Sequence, residues 1–353
     1  MHLGGGYVME QSQFPKDYKP FMSPRHTEKA IKFIKDTFER ELSSGLYLSR
    51  VTSPLFVPEG SGINDDLSGV ERPVSFPVKN MANGNMEIVQ SLSKWKRMAL
   101  ASYGFKSHAG IYTDMNAIRP DDELDATHSI YVDQWDWELV IDEEDRTIAY
   151  LKFVVNKIFR ALKRTEFLVS ELFPQCVATL PEQITFIHAQ EALDQYPDLD
   201  SEQREEVLAK KYGAIFLMGI GHKLSDGKPH GSRAPDYDDW STPNEDNYYG
   251  LNGDIIVWDH VRGKCVELSS MGIRVDQEAL LKQLELTNNL HRKELYWHKR
   301  LLNGEYPLTI GGGIGQSRIC MLLLKKAHIG EVQASVWPDY IHQEALKYGV
   351  KLL

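Results

Sequence analysis

The chain has 353 residues, of which 42% are hydrophobic and 25% charged, the balance of a globular protein with a sizeable core rather than of a disordered chain. Fifty acidic residues against forty basic ones leave a net charge of -10, which repels a polyphosphate backbone and argues against nucleic acid as a partner. Cys176, Cys265 and Cys320 are widely spaced and form no CxxC pair, so neither a disulfide framework nor a zinc site is expected, and reduced thiols suit the cytoplasm.

Residues 1–22 read as an irregular arm with Gly4 to Gly6, Pro15 and Pro20; they lack the basic-then-apolar order of a signal peptide. The rest, 23–353, reads as one domain. Ser23 followed by Pro24 opens a helix, Ala30, Ile31, Ile34, Phe38 and Leu42 keep helical spacing, and Gly45 is placed to close it. An extended stretch follows from Leu46 to Val57, broken at Pro54. A short helix through Leu92, Trp95 and Ala99 ends at Gly104, and strands are expected over Gly110 to Ile118 and Ser129 to Trp137. Ile148, Leu151, Val155, Ile158 and Leu162 mark a long helix that Pro174 ends. Asp200 and Gln203 form a capping box for a helix that stops at Gly213. A strand from Ala214 to Gly219 leads into a long polar loop, Ile220 to Gly250, of the kind that is usually functional or disordered.

Asp254 to Trp258 and Lys264 to Ser269 read as a hairpin, followed by helices over about 276–286 and 289–303. A strand at Leu308 to Ile310 runs through glycines into a helix from Gly315 to Lys326. Helices interrupt the strands irregularly, so the pattern predicts an α+β fold with a mainly antiparallel sheet flanked by helices. No segment approaches the ~18 apolar residues of a membrane span.

Three segments carry chemistry. GGGIGQSR, Gly311 to Arg318, lets backbone approach a ligand and places an arginine one turn into a helix; it lacks the GK[ST] ending of a Walker loop. Arg119 precedes an acidic loop and offers a planar fork of donors suited to phosphate. In ELSSMGIR, Glu267 and Ser270 are oxygen ligands of the kind magnesium accepts. Read alone, the last two are better explained as solvated surface, and so is the Asp cluster at 236–239.

Their order, arginine with an acidic loop, then Glu-x-x-Ser, then glycines and arginine, resembles the second and third motifs of class II aminoacyl-tRNA synthetases. QSLSKWKR (Gln90 to Arg97) and YVDQWDWE (Tyr131 to Glu138) resemble the aspartyl branch. DDLSGVE, RPDDE, RAPDYDDWSTP, LNGDIIVW, ELSSMGIRVD and TIGGGIGQSR bring the resemblance closer still, to the aspartate–ammonia ligases, and it covers nearly everything after about residue 25.

The resemblance implies a class II synthetase-like fold, a homodimer paired through the opening helix and residues 46–57, and substrates L-aspartate, ATP and ammonia with Mg2+. It implies asparagine synthesis through a β-aspartyl-adenylate, releasing AMP and pyrophosphate. ATP is expected against Arg119, Asp121, Glu267, Gly313, Gly315 and Arg318, with magnesium on Glu267, Ser270 and Asp254. The aromatic residue that stacks on adenine in relatives is not evident, and Val132 is near its place. Ser91, Gln134 and Asp136 are expected to hold the amino group of aspartate, and Lys96 and Arg274 its α-carboxylate. Asp65, Asp136 and Asp238 are the candidates to take a proton from ammonia, with Asp238 preferred as an uncommitted carboxylate because Asp136 is expected to hold the substrate amino group. Trp135, Trp137 and Trp240 are expected in packing rather than in ligand contact.

Overall fold

The computed structural model describes residues 12–65, 67, 71–81 and 84–353. The Gly4 to Gly6 part of the expected arm, and residues 66 and 68–70 of DDLSGVE, lie outside the described residues.

Helix α1 (Pro24–Leu46) starts where expected, with the Ser23 side chain accepting the His26 N–H. Its buried stripe of Ala30, Ile31, Ile34, Phe38, Leu42 and Leu46 packs on α3 (Ile148–Leu172). Gly45 does not close the helix. The chain turns two residues later, at Tyr47, whose left-handed φ of 54° lets its N–H reach the Ser43 carbonyl.

Strand β1 (Leu48–Arg50) leads to a small antiparallel sheet of β2 (Phe56–Pro58), β3 (Ser75–Pro77) and β4 (Asn85–Ile88), in which β4 is central. Helix α2 (Ser93–Tyr103) ends on the left-handed Gly104, as its sequence predicts. Strands β5 (Gly110–Ile118) and β6 (Tyr131–Val140) follow, then α3, β7 (Thr185–His188) and α4 (Ala189–Gln195). The Asp200–Gln203 capping box opens α5 (Ser201–Tyr212), and β8 (Ala214–Met218) follows. Strands β9 (Asn252–Asp259) and β10 (Lys264–Ile273) form the hairpin, β9 longer than expected at both ends and β10 starting at Lys264 as expected but running on to Ile273. Helix α6 (Gln277–Leu286) is capped by Asp276. The second helix expected in this region is broken by extended Leu295 into a short 3-10 turn, Leu290–Glu294, and α7 (Tyr296–Leu302). Strand β11 (Thr309–Gly315), α8 (Gln316–Leu323) and α9 (Asp339–Lys347) complete the order.

Eight strands form the main sheet in the order β1-β5-β6-β11-β10-β9-β8-β7. The six from β5 to β8 pair antiparallel, while β1 and β7 join the two edges in parallel. One face is covered by α1, α3 and α8 around Trp135, Trp137, Met271, Ile310 and Ile314. The other face, over β6, β11 and β10, is left for the site.

Residues 12–22 pack against the C-terminal segment. Phe14 stacks on His328 with centroids 5.4 Å apart and on Tyr348 at 5.2 Å, and Tyr18 donates its hydroxyl to Glu331 at 2.9 Å. Buried His328 accepts the Gly330 N–H on Nδ1 at 3.0 Å and meets Trp337 edge-on. Burial lowers its pKa from 6.5 to about 4, so the fold holds the neutral ring. The stability this provides is complete above pH 6.5 and falls away as pH drops toward 4, a change of at most about 3 kcal/mol. Urea unfolding at pH 7 and pH 4.5 should therefore show wild type losing more stability on acidification than His328→Gln; equal losses would remove this role.

Candidate active site

The site rests on strand phase. In β6 the sequence QWDWE alternates, so Trp135 and Trp137 enter the core, where Phe38 lies 4.6 Å from Trp135 between centroids. Gln134, Asp136 and Glu138 share the opposite face. Opposite them on β11, in register, stand Gly315, Gly313 and Gly311. The glycines expected to follow a strand ending at Ile310 are thus the body of a central strand. A Cβ on Gly311 would lie 2.0 Å from Glu138 Oε2, and one on Gly313 2.2 Å from Gln134 Oε1. Side chains of the neighbouring strand occupy the space above the glycines. The turn into α8 comes only at Gly315.

Glu138 is fully buried. It accepts two hydrogen bonds from the Arg274 fork, at 3.0 and 2.9 Å, and one from Thr309 Oγ1 at 2.8 Å, and Lys96 Nζ lies 3.4 Å away. Burial would raise its pKa, but Arg274 and Lys96 hold it below the usual glutamate value. Lys96 also donates to Asp136, to the Trp137 carbonyl at 2.8 Å and to the Gly312 carbonyl at 3.1 Å. Its ammonium is therefore enclosed beneath the floor of the cleft, where it fixes Asp136 and is spent on protein acceptors. Asp136 also accepts the Leu92 N–H, at 3.3 Å.

The loop from Ile220 to Gly250 is ordered by main-chain bridges, and Asp236, Asp238, Asp239, Trp240 and Ser241 within it are buried rather than solvated. Asp238 bonds Arg274 with one oxygen, and its other oxygen lies 3.5 Å from Arg233 Nε. It is thus committed to two arginines. Burial nevertheless raises its pKa. Trp240 gives its indole N–H to the Ala234 carbonyl at 3.2 Å.

At the other end of the cleft stand Arg119, Arg318, Glu267 and Ser270. Residues three apart on a regular strand face opposite ways. A bulge at Leu268, where the register of β10 against β9 slips between Glu267 and Ser269, turns Glu267 and Ser270 to the same side. Ser270 donates to Asp254 Oδ1 at 2.6 Å, and Arg233 bonds both, at 2.5 Å each. Arg119 uses one Nη to reach the Gln90 carbonyl at 3.0 Å, while its buried Nε has no partner among the described residues. Arg318 donates to the Glu267 carbonyl at 2.8 Å. Glu267 is exposed to the cleft, and partial loss of hydration there, followed by the charge of Asp254, raises its pKa against the opposing Arg318. Two carboxylates in mutual repulsion beside a hydroxyl suit a hard divalent cation with phosphate oxygens in its shell.

These groups line one cleft of about 630 Å³, together with Asp65, Ser91, Tyr237 and Val132. Glu138, Lys96, Asp121 and Asp254 are not on its wall. Asp121 turns outward to Arg72, whose hydrogen bonds at 2.5–3.1 Å draw its pKa down to about 2, while the adjacent Asp122 and Glu123 line the cleft instead. Reasoning from sequence passed over Arg233 and the central part played by Glu138. The YVDQWDWE segment did expose Glu138 as the third member of its alternation.

An antiparallel sheet flanked by helices, with one face left open, is the fold of the class II aminoacyl-tRNA synthetases. Solved structures agree on the fold. An asparaginyl-tRNA synthetase from Pyrococcus horikoshii complexed with asparaginyl-adenylate matches with a TM-score of 0.66 at 16% identity, over 88% of this chain and 70% of that one. The Entamoeba histolytica asparaginyl-tRNA synthetase in complex with asparaginyl-adenylate matches with a TM-score of 0.62 at 16% identity, over 88% of this chain and 66% of that one. Within this class the family model for aspartate–ammonia ligase matches residues 25–349. Aspartate–ammonia ligases of Parabacteroides distasonis and Clostridium perfringens are 56% and 53% identical, over 96% and 98% of this chain and 98% and 100% of their own lengths. The chain belongs to the aspartate–ammonia ligase family.

Glu138 generates a prediction about the fold as well as the site. Glu138→Gln leaves Arg274 and Lys96 buried with too little negative charge, so stability at pH 7 should fall by about 3 kcal/mol or more. Because its pKa is depressed, the contribution of Glu138 is complete above the ordinary glutamate pKa of 4.5 and is lost as pH falls further. Urea unfolding that separates wild type and variant by less than about 1 kcal/mol would show that the cluster does not need this charge.

Proposed function

We propose that the chain makes asparagine from L-aspartate, ATP and ammonia through a β-aspartyl-adenylate, releasing AMP and pyrophosphate. The observation that carries this reading is one cleft with an amino-acid end, Gln134, Asp136 and Arg274, adjoining a phosphate end, Arg119, Arg318 and Glu267. Membership of the aspartate–ammonia ligase family supports it. A carboxylate is a poor acyl donor. Attack of a β-carboxylate oxygen on the α-phosphorus forms a mixed anhydride and expels pyrophosphate. Ammonia then attacks the acyl carbon, AMP leaves, and the amine loses a proton.

Arg119, whose Nε has no partner among the described residues, would stabilise charge on the α-phosphate, and Arg318 would bind the outer phosphates. Glu267 with Ser270 would hold Mg2+, which when bound offsets phosphate charge, whereas Asp254, expected as a third ligand, lies off the cleft wall, bonded to Arg233 and Ser270, and would orient Ser270 instead. Asp136 and Gln134, with Ser91, would receive the substrate ammonium, Asp136 being held in place by Lys96. Arg274 faces the cleft and would anchor the α-carboxylate, leaving the β-carboxylate toward the phosphate. Lys96 takes a positioning role in place of the carboxylate contact expected from sequence.

Ammonia capture is reassigned as well. Asp238 orients Arg274 and Arg233, so its loss should impair activation. Asp65 is buried on the cleft wall and accepts the Leu67 N–H at 3.1 Å; after burial itself, its charge is the largest influence raising the pKa of the Tyr237 hydroxyl. It is the group we assign to receive the proton. Asp65→Asn should retain aspartate-dependent ATP–pyrophosphate exchange while asparagine formation slows, and higher pH should partly restore synthesis by supplying free ammonia. Asp238→Asn should lose exchange and synthesis together. The reverse pattern would exchange the two roles.

Arg318→Ala should slow pyrophosphate exchange by about 100- to 1,000-fold, the effect of losing one contact to a transition-state charge. Near-normal exchange in a folded variant would remove its phosphate role. Release of AMP and pyrophosphate from aspartate and ATP, measured with ammonia, glutamine or tRNA added separately, tests the reaction itself. A two-fold homodimer through α1 and residues 46–57 remains our expectation, supported by exposed Tyr47, Leu55 and Phe56 in that segment; a monomeric mass by light scattering at micromolar concentration would count against it.

A further inference from the structure

The loop that brings Arg233 and Asp238 to the cleft has a second face, turned away from it. Asp236 lies there, fully buried. Its Oδ2 accepts hydrogen bonds from Lys94 Nζ at 3.1 Å, His298 Nε2 at 2.9 Å and Arg292 at 3.3 Å. Burial alone would raise the Asp236 pKa, but Lys94, His298 and Arg292 hold it well below the carboxylate range. Gln283, buried on α6, grips the same loop: it donates to the Pro235 and Asp238 carbonyls and accepts the Trp240 N–H, each at 2.9 Å.

Lys94 and Lys96 both lie in the first turn of α2, and both are buried. Residues two apart on a helix point to nearly opposite sides. Lys96 accordingly reaches Asp136 on β6, and Lys94 reaches Asp236 on the loop. One helical turn is thereby fastened to the two walls of the amino-acid end, the Asp136 wall and the wall of Tyr237, Asp238 and Arg274. Asp236 and Lys94 themselves do not line the cleft. A close-packed interior transmits a displacement of either wall to the other.

We propose that Lys94 and Asp236 are a positioning pair that sets the width of the amino-acid end, and so selects aspartate over the glutamate that is one methylene longer. The inference rests on the aspartate-activating reading given above. Losing the pair frees the loop wall relative to β6 while leaving Arg119, Arg318 and Glu267 in place. The aspartate requirement should change and the ATP requirement should not.

The experiment measures ATP–pyrophosphate exchange with aspartate and with glutamate for wild type, Asp236→Asn, Lys94→Gln and the double variant, with thermal unfolding alongside. In each single variant KM for aspartate should rise about ten-fold or more while KM for ATP stays constant. The aspartate-over-glutamate ratio of kcat/KM should fall by about ten-fold, within the 10- to 200-fold that discrimination by one methylene spans. The double variant should be little worse than either single one, since the two act as a unit. Should Asp236→Asn fail to fold, Lys94→Gln carries the same readouts. An unchanged selectivity ratio in a folded variant, or KM values for aspartate and ATP that rise together, overturns the inference. Wild type without aspartate-dependent exchange overturns the functional reading and this inference with it, whereas active wild type with unselective variants at unchanged ATP KM supports both.

Discussion

A carboxylate with no access to water sits on the face of the central sheet, and much of the site follows from it. Stripping Glu138 of its hydration costs several kcal/mol unless cations and donors replace the water. Arg274, Thr309 and Lys96 supply them. Each cation then has capacity left for a second acid, and Arg274 holds Asp238 while Lys96 holds Asp136. The Glu138 carboxylate also needs room, which is why the residue beside it on β11 is Gly311. The alternation of β6, the glycines of β11, the arginine that follows β10 and the lysine of α2 are four answers to one desolvation problem.

The same logic extends along the cleft. Asp136, Lys96, Glu138, Arg274, Asp238, Arg233 and Asp254 form a chain of alternating sign in which each member touches the next. Such a chain is stiff and close to neutral. Its members are oriented before a substrate arrives, so little reorganisation is left for the reaction, the condition under which fixed charges are most effective. In the proposed reaction aspartate, with one ammonium and two carboxylates, would meet groups of both signs held at fixed separations.

Local signals were legible in the sequence wherever a single element decided the outcome. The Ser23 cap, the Gly104 stop, the Asp200–Gln203 box and the bounds of β5 all follow from residues within a turn of one another. The candidate site residues were chosen by motif order, and most of them line the same cleft. What could not be read depended on partners far away in the chain. Lys96 is drawn under the floor by Asp136 and Glu138, forty or more residues on. Asp121 is turned outward by Arg72, and Asp238 is claimed by Arg274 and Arg233. The run from Gly311 to Gly313 looks like a turn because glycine is locally permissive, whereas its cause is the bulk of side chains on the next strand. Gly45 failed as a helix stop for a related reason: a glycine permits an ending, and the start of β1 set where the ending fell.

The bulge at Leu268 has a meaning for how strand motifs are read. On an unbroken strand two ligands that share a face are separated by an even count, so a pair such as Glu267 and Ser270, at an odd count, cannot cooperate unless the backbone skips a beat between them. The spacing of the motif is therefore a record of main-chain geometry as well as of chemistry. Where an odd-spaced oxygen pair is kept in a strand, the irregularity is kept with it. Repairing the strand to ideal pairing would leave both residues in the sequence and part them onto opposite faces of the sheet.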